Sequence, residues 1–352
     1  MLLEISTEYG LFLAKTATIV VFALVIVGAV AISFRRGRIQ THEHMEIRKL
    51  NDRYDAMTKA MESRILEKPV LRKVLKQRKK SRKEQDKKIR RIPPNSEHGR
   101  KRIFVLEFMG DVRASAIDHL REEISAVLLV GRKQDEVVLR LHSSGGFVHS
   151  YGLAASQLQR IRDAGMTLTI SVDEVAASGG YLMACVGHRI IAAPFAIIGS
   201  IGVIGQLPNL HRFLKRHDVD FEIHTAGEYK RTLTVFGENT DKGREKFRQE
   251  LEQTHGLFKS FIREHRPRTN VDTVATGEYW HGYQALELKL VDELRTSDDY
   301  LMTMSQSADM YSVRYRRRHP MAQRFAHAAD ATVGRLLSRA QNEEQQSRFY
   351  KH

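Results

Sequence analysis

The chain has 352 residues, 42% of them hydrophobic, which is enough for one large or two small globular domains with a buried core. Its only cysteine, Cys185, excludes an intrachain disulfide. The net charge is +15, yet residues 35–102 alone hold 24 Lys and Arg against 9 Asp and Glu, while residues 103–352 hold 32 against 31. No basic folded domain therefore remains to bind nucleic acid, and we predict no nucleic-acid partner.

Residues 16–34, TATIVVFALVIVGAVAISF, form an uncharged apolar run. At helical rise the run just spans a hydrocarbon core of about 30 Å, so we predict an N-terminal transmembrane helix within a membrane anchor at residues 1–38. A cleavable signal peptide ending near Ala31 is the alternative, but the basic cluster follows the apolar run instead of preceding it. The positive-inside rule then places the basic segment and the rest of the chain in the cytoplasm.

Residues 39–102 are predicted to be a basic linker that contacts anionic membrane lipid. Spaced apolar positions predict a helix over residues 40–68, either a coiled coil or a solvated stalk. Residues 72–102 are rich in Lys and Arg and contain Pro93-Pro94, which predicts a flexible connection. The run His42-Glu43-His44 lacks the spacing of helical metal ligands, and we predict no metal site.

Strand and helix patterns alternate through residues 103–294, which predicts an α/β domain with a mostly parallel sheet. The apolar run at residues 190–207 contains Pro194 and is interpreted as a buried strand and turn, not as a second membrane span. Residues 295–352 are predicted to form a peripheral helical tail. The expected strands are 103–108, 137–142, 167–172, 189–193 and 221–225, and the expected helices are 114–129, 150–162, 179–187, 210–216, 240–265 and 282–288.

Ser178 and Lys230 each lie in a sequence context that suits nucleophilic catalysis. Ser178 follows a predicted strand and precedes Gly179-Gly180, and Lys230 lies in the motif GEYK. A serine hydroxyl becomes a good nucleophile when a base removes its proton, and a neutral lysine amine can be that base. The backbone N–H groups of Gly179 and of Gly146, at the end of another predicted strand, could stabilise an oxyanion. The pattern therefore predicts a Ser–Lys serine protease.

Five ordered motifs in residues 103–294 resemble the signal peptide peptidase A family of membrane serine peptidases, and its SohB branch in particular. They are HSSGG at 142–146, EVAASGGYLMA at 174–184, PFAIIGSIGV at 194–203, GEYKRTLTVFGENTDKGREKF at 227–247 and TGEYWHGYQALELKLVDEL at 276–294. The resemblance implies a ClpP/crotonase-like fold of ββα units. It also implies Ser178 as nucleophile, Lys230 as general base, Gly146 and Gly179 as oxyanion donors, and Ser200 as the hydroxyl that orients the lysine.

The same resemblance implies an endopeptidase that needs no cofactor and acts through an acyl-enzyme. Its expected substrates are hydrophobic or signal-peptide-like segments and damaged proteins. We also expect a homo-oligomer and a single-pass location in a bacterial inner membrane. The resemblance implies action at the outer face, whereas the charge rule favours the cytoplasmic side, and we follow the charge rule. The chain departs from relatives at Ser144, where proline is frequent, and at His188, where aspartate is common. We interpret His188 as a structural histidine and Cys185 as a core residue.

Two other classes of function stay open at this stage. A crotonase-type acyl-CoA enzyme would share the fold, because a fold does not fix a function, but it would leave Ser178 and Lys230 without a role. A catalytically silent membrane scaffold would not need the two residues either.

Overall fold

The computed structural model describes residues 43–90 and 100–317, together with residues 15, 16, 18 and 20. The chain divides into two compact units. One comprises residues 1–44 and 316–339, of which few are described. The other comprises residues 45–315 and 340–352 and contains nearly all of the described secondary structure.

Residues 43–90 and 100–317 contain ten strands and ten helices. The strands are β1 (Glu43–Lys49), β2 (Arg102–Gly110), β3 (Glu136–Ser143), β4 (Thr167–Val172), β5 (Val175–Ala177), β6 (Arg189–Ala192), β7 (Ile197–Gly199), β8 (Tyr279–His281), β9 (Glu293–Leu294) and β10 (Asp309–Arg317). The helices are α1 (Leu50–Ile65), α2 (Lys68–Arg90), α3 (Ile117–Val130), α4 (Val148–Asp163), α5 (Gly179–Ala184), α6 (His211–Arg216), α7 (Asp241–His265), α8 (Val271–Val274), α9 (Gly282–Glu287) and α10 (Ser297–Met304).

The strands form one branched, mostly parallel sheet. Its main path runs β1-β10-β2-β3-β4-β6-β9, and a side branch runs from β3 through β5 and β7 to β8. The pairs β2–β3, β3–β4, β3–β5 and β5–β7 are parallel, whereas β7–β8 is antiparallel. The predicted class, α/β with a mostly parallel sheet, is confirmed.

Alternating side chains of β2 pack on opposite faces of the sheet, as the two-residue period of a strand requires. Leu106 and Phe108 join the larger core, which α3, α4 and α5 cover. Ile103 and Val105 join a second core, which α10 and the start of α1 cover. The sheet is therefore buried on both faces, which explains its near-continuous apolar strands.

Four of the five predicted strands and all six predicted helices of the 103–294 region are present, with ends shifted by a few residues. The apolar run at 190–207 contributes β6 and β7, as predicted. The prediction of a strand at 221–225 is wrong. That segment is exposed, and it pairs with no strand among the described residues. Local β-propensity alone does not form a strand when no partner edge is available.

The linker region also differs from expectation. Residues 43–49 form β1, not the start of a helix, and residues 68–90 form α2 where a flexible connection was predicted. Helix α1 is tied to the end of the domain: the Asn51 amide donates to the carbonyls of Ser305 and Ala308, at 3.1 and 3.0 Å, and accepts from the Met310 N–H at 2.7 Å. Pairing with distant residues thus determines where the helix begins.

The sheet continues beyond residue 294, because β10 pairs in parallel with β2. The rest of the predicted helical tail, residues 318–352, lies outside the described residues. So does nearly all of the predicted transmembrane run at 16–34. Within the part of the chain that is described, no helix combines the length and apolar character needed to cross a bilayer.

Candidate active site

Three parallel strands of the side branch end side by side. Ser143 at the end of β3 pairs with Ala176 of β5, and Ala177 of β5 pairs with Gly199 of β7. The residues that follow these strand ends are the Ser144-Gly145-Gly146 loop, Ser178 and Ser200. Because the carboxyl ends of parallel strands share one edge of the sheet, the fold brings four of the five predicted site residues to a common place.

Ser178 occupies a sharp turn between β5 and α5. Its backbone has φ 52° and ψ −120°, a conformation that residues other than glycine rarely adopt. Two backbone hydrogen bonds hold the turn: the Ser178 N–H donates to the Gly199 carbonyl at 2.7 Å, and the Ser178 carbonyl accepts from Leu182 at 3.0 Å. The surrounding structure thus enforces a strained conformation at the predicted nucleophile.

The loop after β3 approaches Ser178 closely. Gly145 has φ +92°, and a Cβ on it would lie 2.7 Å from both the Ser178 Cβ and the Gly179 backbone nitrogen. A Cβ on Gly146 would lie 2.1 Å from the Val112 carbonyl oxygen. Gly145 therefore allows the loop after β3 to contact the turn that carries Ser178, and Gly146 allows the same loop to pack against the Val112 backbone.

Two backbone N–H groups beside Ser178 are open. Within the described residues, neither the Gly146 nor the Gly179 N–H donates a hydrogen bond. The intervening Gly145 N–H is occupied, because it donates to Ser143 Oγ at 3.0 Å. The geometry therefore favours Gly146 and Gly179, the two donors expected from sequence, over Gly145.

Sequence reasoning missed the two hydroxyls beneath this loop. Ser143 Oγ and Tyr151 Oη are hydrogen-bonded at 2.6 Å, and the Tyr151 hydroxyl donates to the Asp111 carbonyl at 2.8 Å. Ser143 belongs to the HSSGG motif, and its place in that motif could have indicated a role at the site. Nothing in the sequence distinguishes Tyr151 from other tyrosines. It lies close to Ser143 and Gly179 only because of the way α4 packs on the sheet.

Ser200 lies directly after Gly199, whose carbonyl holds the Ser178 N–H. Its side chain is buried, its φ is 48°, and its N–H donates to the Glu278 carbonyl at 2.6 Å. The Trp280 ring packs against Gly199, where an added Cβ would lie 2.7 Å from it. Ser200 is thus fixed next to the nucleophile turn.

No hydrogen bond or ion pair among the described residues joins the Lys230 side chain to this cluster. Lys230 lies on residues 201–239, which we call the arm, and it is exposed. In the described part of the chain no hydrogen bond joins it to Ser178; the bond recorded for Lys230 runs from its N–H to the Gly227 carbonyl, at 3.1 Å. The arm folds on itself, with the Asn209 amide donating to Thr234 and Gly237.

The arm also exposes an unusual amount of apolar surface. Nine of its large hydrophobic residues are more than 40% exposed: Ile204, Leu207, Leu210, Phe213, Val219, Phe221, Ile223, Tyr229 and Phe236. Monomeric proteins rarely expose so many neighbouring apolar side chains without a partner.

His188 and Cys185 take structural positions, as expected. The His188 Nδ1 accepts the Leu168 N–H at 3.1 Å, and burial lowers the pKa of the imidazole, with the charge of Arg162 acting in the same direction. Cys185 is fully buried, which raises the pKa of its thiol far above the usual range. A buried, protonated thiol is a poor nucleophile.

Comparison with solved structures gives only weak likeness. A membrane-bound stomatin-specific protease, 1510-N, superposes with a TM-score of 0.38 at 15% identity over 58% of this chain and 84% of that one. The same protease in complex with a substrate peptide gives 0.39 at 13% identity, over 63% and 94%.

Sequence comparison is far more specific. A probable protease SohB of Haemophilus influenzae is 43% identical over 358 residues, covering 99% of this chain and 100% of that protein. A probable protease SohB of Buchnera aphidicola subsp. Acyrthosiphon pisum is 54% identical over 240 residues, covering 68% and 71%. The model of the peptidase family S49 N-terminal region matches residues 4–158, and that of peptidase family S49 matches residues 160–311. With full-length similarity to SohB proteases and both family models matched in order, the chain belongs to peptidase family S49.

Proposed function

We propose that the chain is a membrane-anchored serine endopeptidase in which Ser178 is the nucleophile and Lys230 the general base. The observation that carries the proposal is the strained turn at Ser178, set against two open backbone N–H groups. Strain of about 1–3 kcal/mol persists where the fold enforces it, and it concentrates at functional sites. Family membership and the matching peptidase relatives support the reaction class.

In the proposed reaction, Ser178 Oγ attacks the peptide carbonyl while the neutral Lys230 amine takes the hydroxyl proton. The carbonyl oxygen becomes an oxyanion, and the N–H groups of Gly146 and Gly179 donate to it. The lysine then returns the proton to the leaving amine, which departs and leaves an ester on Ser178. Water, activated by the same amine, hydrolyses the ester. Ser200 accepts or donates a hydrogen bond that orients the amine.

This reaction requires Lys230 to leave the solvent and approach Ser178. We propose that the arm packs against a second copy of the chain, since its exposed apolar residues suit a homo-oligomer contact. The proposed architecture is the ClpP/crotonase-like one, in which β3, β5 and β7 present the site at their carboxyl ends.

Hydrophobic peptide segments, such as those of signal peptides or damaged proteins, are the proposed substrates. Phe147 and Val148 follow Gly146 directly and are 45% and 50% exposed, so an extended peptide bound at the oxyanion loop would contact apolar side chains. We expect the detergent-solubilised full-length protein to cleave a fluorogenic peptide with an apolar centre at least about tenfold faster, by kcat/KM, than a polar peptide of equal length.

The control for this comparison is a Phe147→Ser, Val148→Ser variant. In this variant the KM for the apolar peptide should rise, so the preference for that peptide is lost. The kcat/KM for the polar peptide should stay within about twofold of the wild-type value. Equal cleavage of both peptides by the wild type would contradict the proposed substrate class.

Membrane attachment is proposed to depend on residues 1–38. The apolar run at 16–34 inserts, and the basic residues of 35–102, including those of α2, face anionic lipid on the cytoplasmic side of a bacterial inner membrane. Deleting residues 1–38 should move the protein from the carbonate-resistant membrane pellet to the supernatant. At low salt the truncated protein should still sediment with anionic vesicles, and that binding should fade as salt rises.

Two outcomes would contradict the anchor proposal. If the truncated protein stays in the pellet through carbonate and high salt, another segment inserts. If it binds neutral phosphatidylcholine vesicles as strongly as anionic ones, the attraction is not electrostatic.

A further inference from the structure

Tyr151 packs against Gly179, one half of the proposed oxyanion site, and is linked through Ser143 to the loop that carries the other half. It lies on α4, one turn after the glycine loop, and its side chain is fully buried. A Cβ on Gly179 would lie 2.5 Å from Tyr151 Cγ, so the ring packs directly beneath the Gly179 backbone. The hydroxyl end of the same side chain reaches Ser143, which holds the Gly145 N–H.

The hydrogen bonds below the loop have a defined direction. The Tyr151 hydroxyl has one hydrogen and gives it to the Asp111 carbonyl, so Ser143 Oγ–H donates to Tyr151 Oη. Ser143 Oγ in turn accepts the Gly145 N–H. The relay therefore runs from the Gly145 N–H through Ser143 and Tyr151 to the Asp111 carbonyl at the end of β2.

Close packing surrounds this relay. A Cβ on Gly110 would lie 2.3 Å from Ser143 Oγ and 2.5 Å from Tyr151 Oη, so no side chain fits at the end of β2. Burial also raises the pKa of the Tyr151 hydroxyl well above its usual range. The hydroxyl thus keeps its proton across any practical assay pH, and the relay keeps its direction.

We propose that Tyr151, acting with Ser143, is a positioning residue that sets the distance and angle between the two oxyanion donors. The inference rests on the proposed function and extends it. The ring supports the Gly179 backbone from below and so fixes the position of the Gly179 N–H. The relay holds in place the loop that carries the Gly146 N–H. Donors held in place before the reaction stabilise the transition state more than the bound substrate, because the oxyanion exists only in the former.

Tyr151→Phe tests this proposal because it keeps the ring and removes only the hydroxyl. In the full-length solubilised protein, kcat should fall about tenfold, less than the 100-fold or more expected for loss of a donor itself, and KM should stay within about twofold. A peptide aldehyde adds to Ser178 Oγ and places its oxygen in the oxyanion site. Its inhibition constant should rise by the same factor by which kcat/KM falls.

Tyr300→Phe is the matched control. Tyr300 is 2% exposed, lies on the opposite face of the sheet and donates its hydroxyl to Glu136 at 2.5 Å. Tyr151→Phe loses the two hydrogen bonds of its hydroxyl and Tyr300→Phe loses one, so both should lower the thermal midpoint. Only Tyr151→Phe should change kcat and aldehyde affinity, which separates positioning from general stability.

Ser143→Ala provides a second route to the same relay if Tyr151→Phe does not fold. It should lower kcat in the same direction, and the double variant should be no slower than the slower single variant by more than about twofold. If Tyr151→Phe and Ser143→Ala both keep the wild-type kcat and aldehyde affinity, the positioning role is wrong while the proposed function stands. The same conclusion follows if Tyr300→Phe loses as much kcat and aldehyde affinity as Tyr151→Phe. Turnover that survives Ser178→Ala would overturn the proposed function as well.

Discussion

Replacing Ser178 by alanine is expected to reduce peptide turnover by roughly 10³-fold or more, because the acyl-enzyme can no longer form. The fold should persist, since the turn is held by the Ser178 backbone N–H and carbonyl and not by its side chain. The measurement is kcat on a hydrophobic fluorogenic peptide, with the thermal midpoint recorded for the same preparation.

Ser178→Gly supplies a control that tests the strain separately. Glycine adopts the positive φ of this turn without steric cost, so this variant should be as inactive as Ser178→Ala yet more stable by about 1 kcal/mol. A glycine variant less stable than the alanine variant would mean that the turn is not strained. Turnover by purified Ser178→Ala near the wild-type rate would eliminate Ser178 as the nucleophile.

Lys230→Met should abolish activity to a similar degree, and Lys230→Arg should be inactive even though the positive charge is kept. A guanidinium does not release its proton in the range where proteins are stable, so it cannot serve as a base. Because only a neutral lysine accepts the serine proton, kcat/KM of the wild type should rise with pH through one ionisation. The measurement is a pH–rate profile for the wild type and each variant.

His188→Gln is the control for the identity of the base. The His188 ring accepts the Leu168 N–H and takes no part in the proposed reaction. The pH–rate profile of the variant should therefore match that of the wild type. A rise in activity that disappears in His188→Gln and persists in Lys230→Met would replace the Ser–Lys assignment by Ser–His.

The exposed position of Lys230 raises the question of which copy supplies it. If the arm of one copy delivers its lysine to the serine of another, mixing inactive Ser178→Ala and Lys230→Met proteins should restore part of the activity. If each chain closes its own arm, the mixture should stay inactive. Either result would identify the route by which Lys230 leaves solvent.

The sequence predicted those parts of the fold that depend on local pattern. Strand β4 was predicted at its observed bounds, and α7 begins after Thr240, whose hydroxyl caps the Gly243 N–H at 3.1 Å. Features that depend on distant pairing could not be predicted. The start of α1 is held by Asn51 contacts with residues 305–310, more than 250 positions away, and strand β1 pairs with the equally distant β10.

The same distinction applies to the candidate site. Ser178, Gly146 and Gly179 were predicted from sequence because they lie where predicted strands end, and parallel strands share an edge. Ser200 was predicted from the family resemblance alone. Tyr151 was missed because a helix residue reveals no site role until its packing partner is known. Lys230 stays a prediction, because its side chain is exposed and no hydrogen bond among the described residues joins it to Ser178.

The most direct measurement of the central claim is labelling of the full-length protein with a fluorophosphonate, followed by mapping of the adduct by mass spectrometry. The reagent phosphonylates a serine whose proton is removed by a nearby base, so it reports nucleophile and base together. The expected result is one adduct on Ser178, absent in Ser178→Ala and at least about 100-fold slower in Lys230→Met. An adduct on another residue, or labelling of Lys230→Met at the wild-type rate, would contradict the Ser–Lys mechanism.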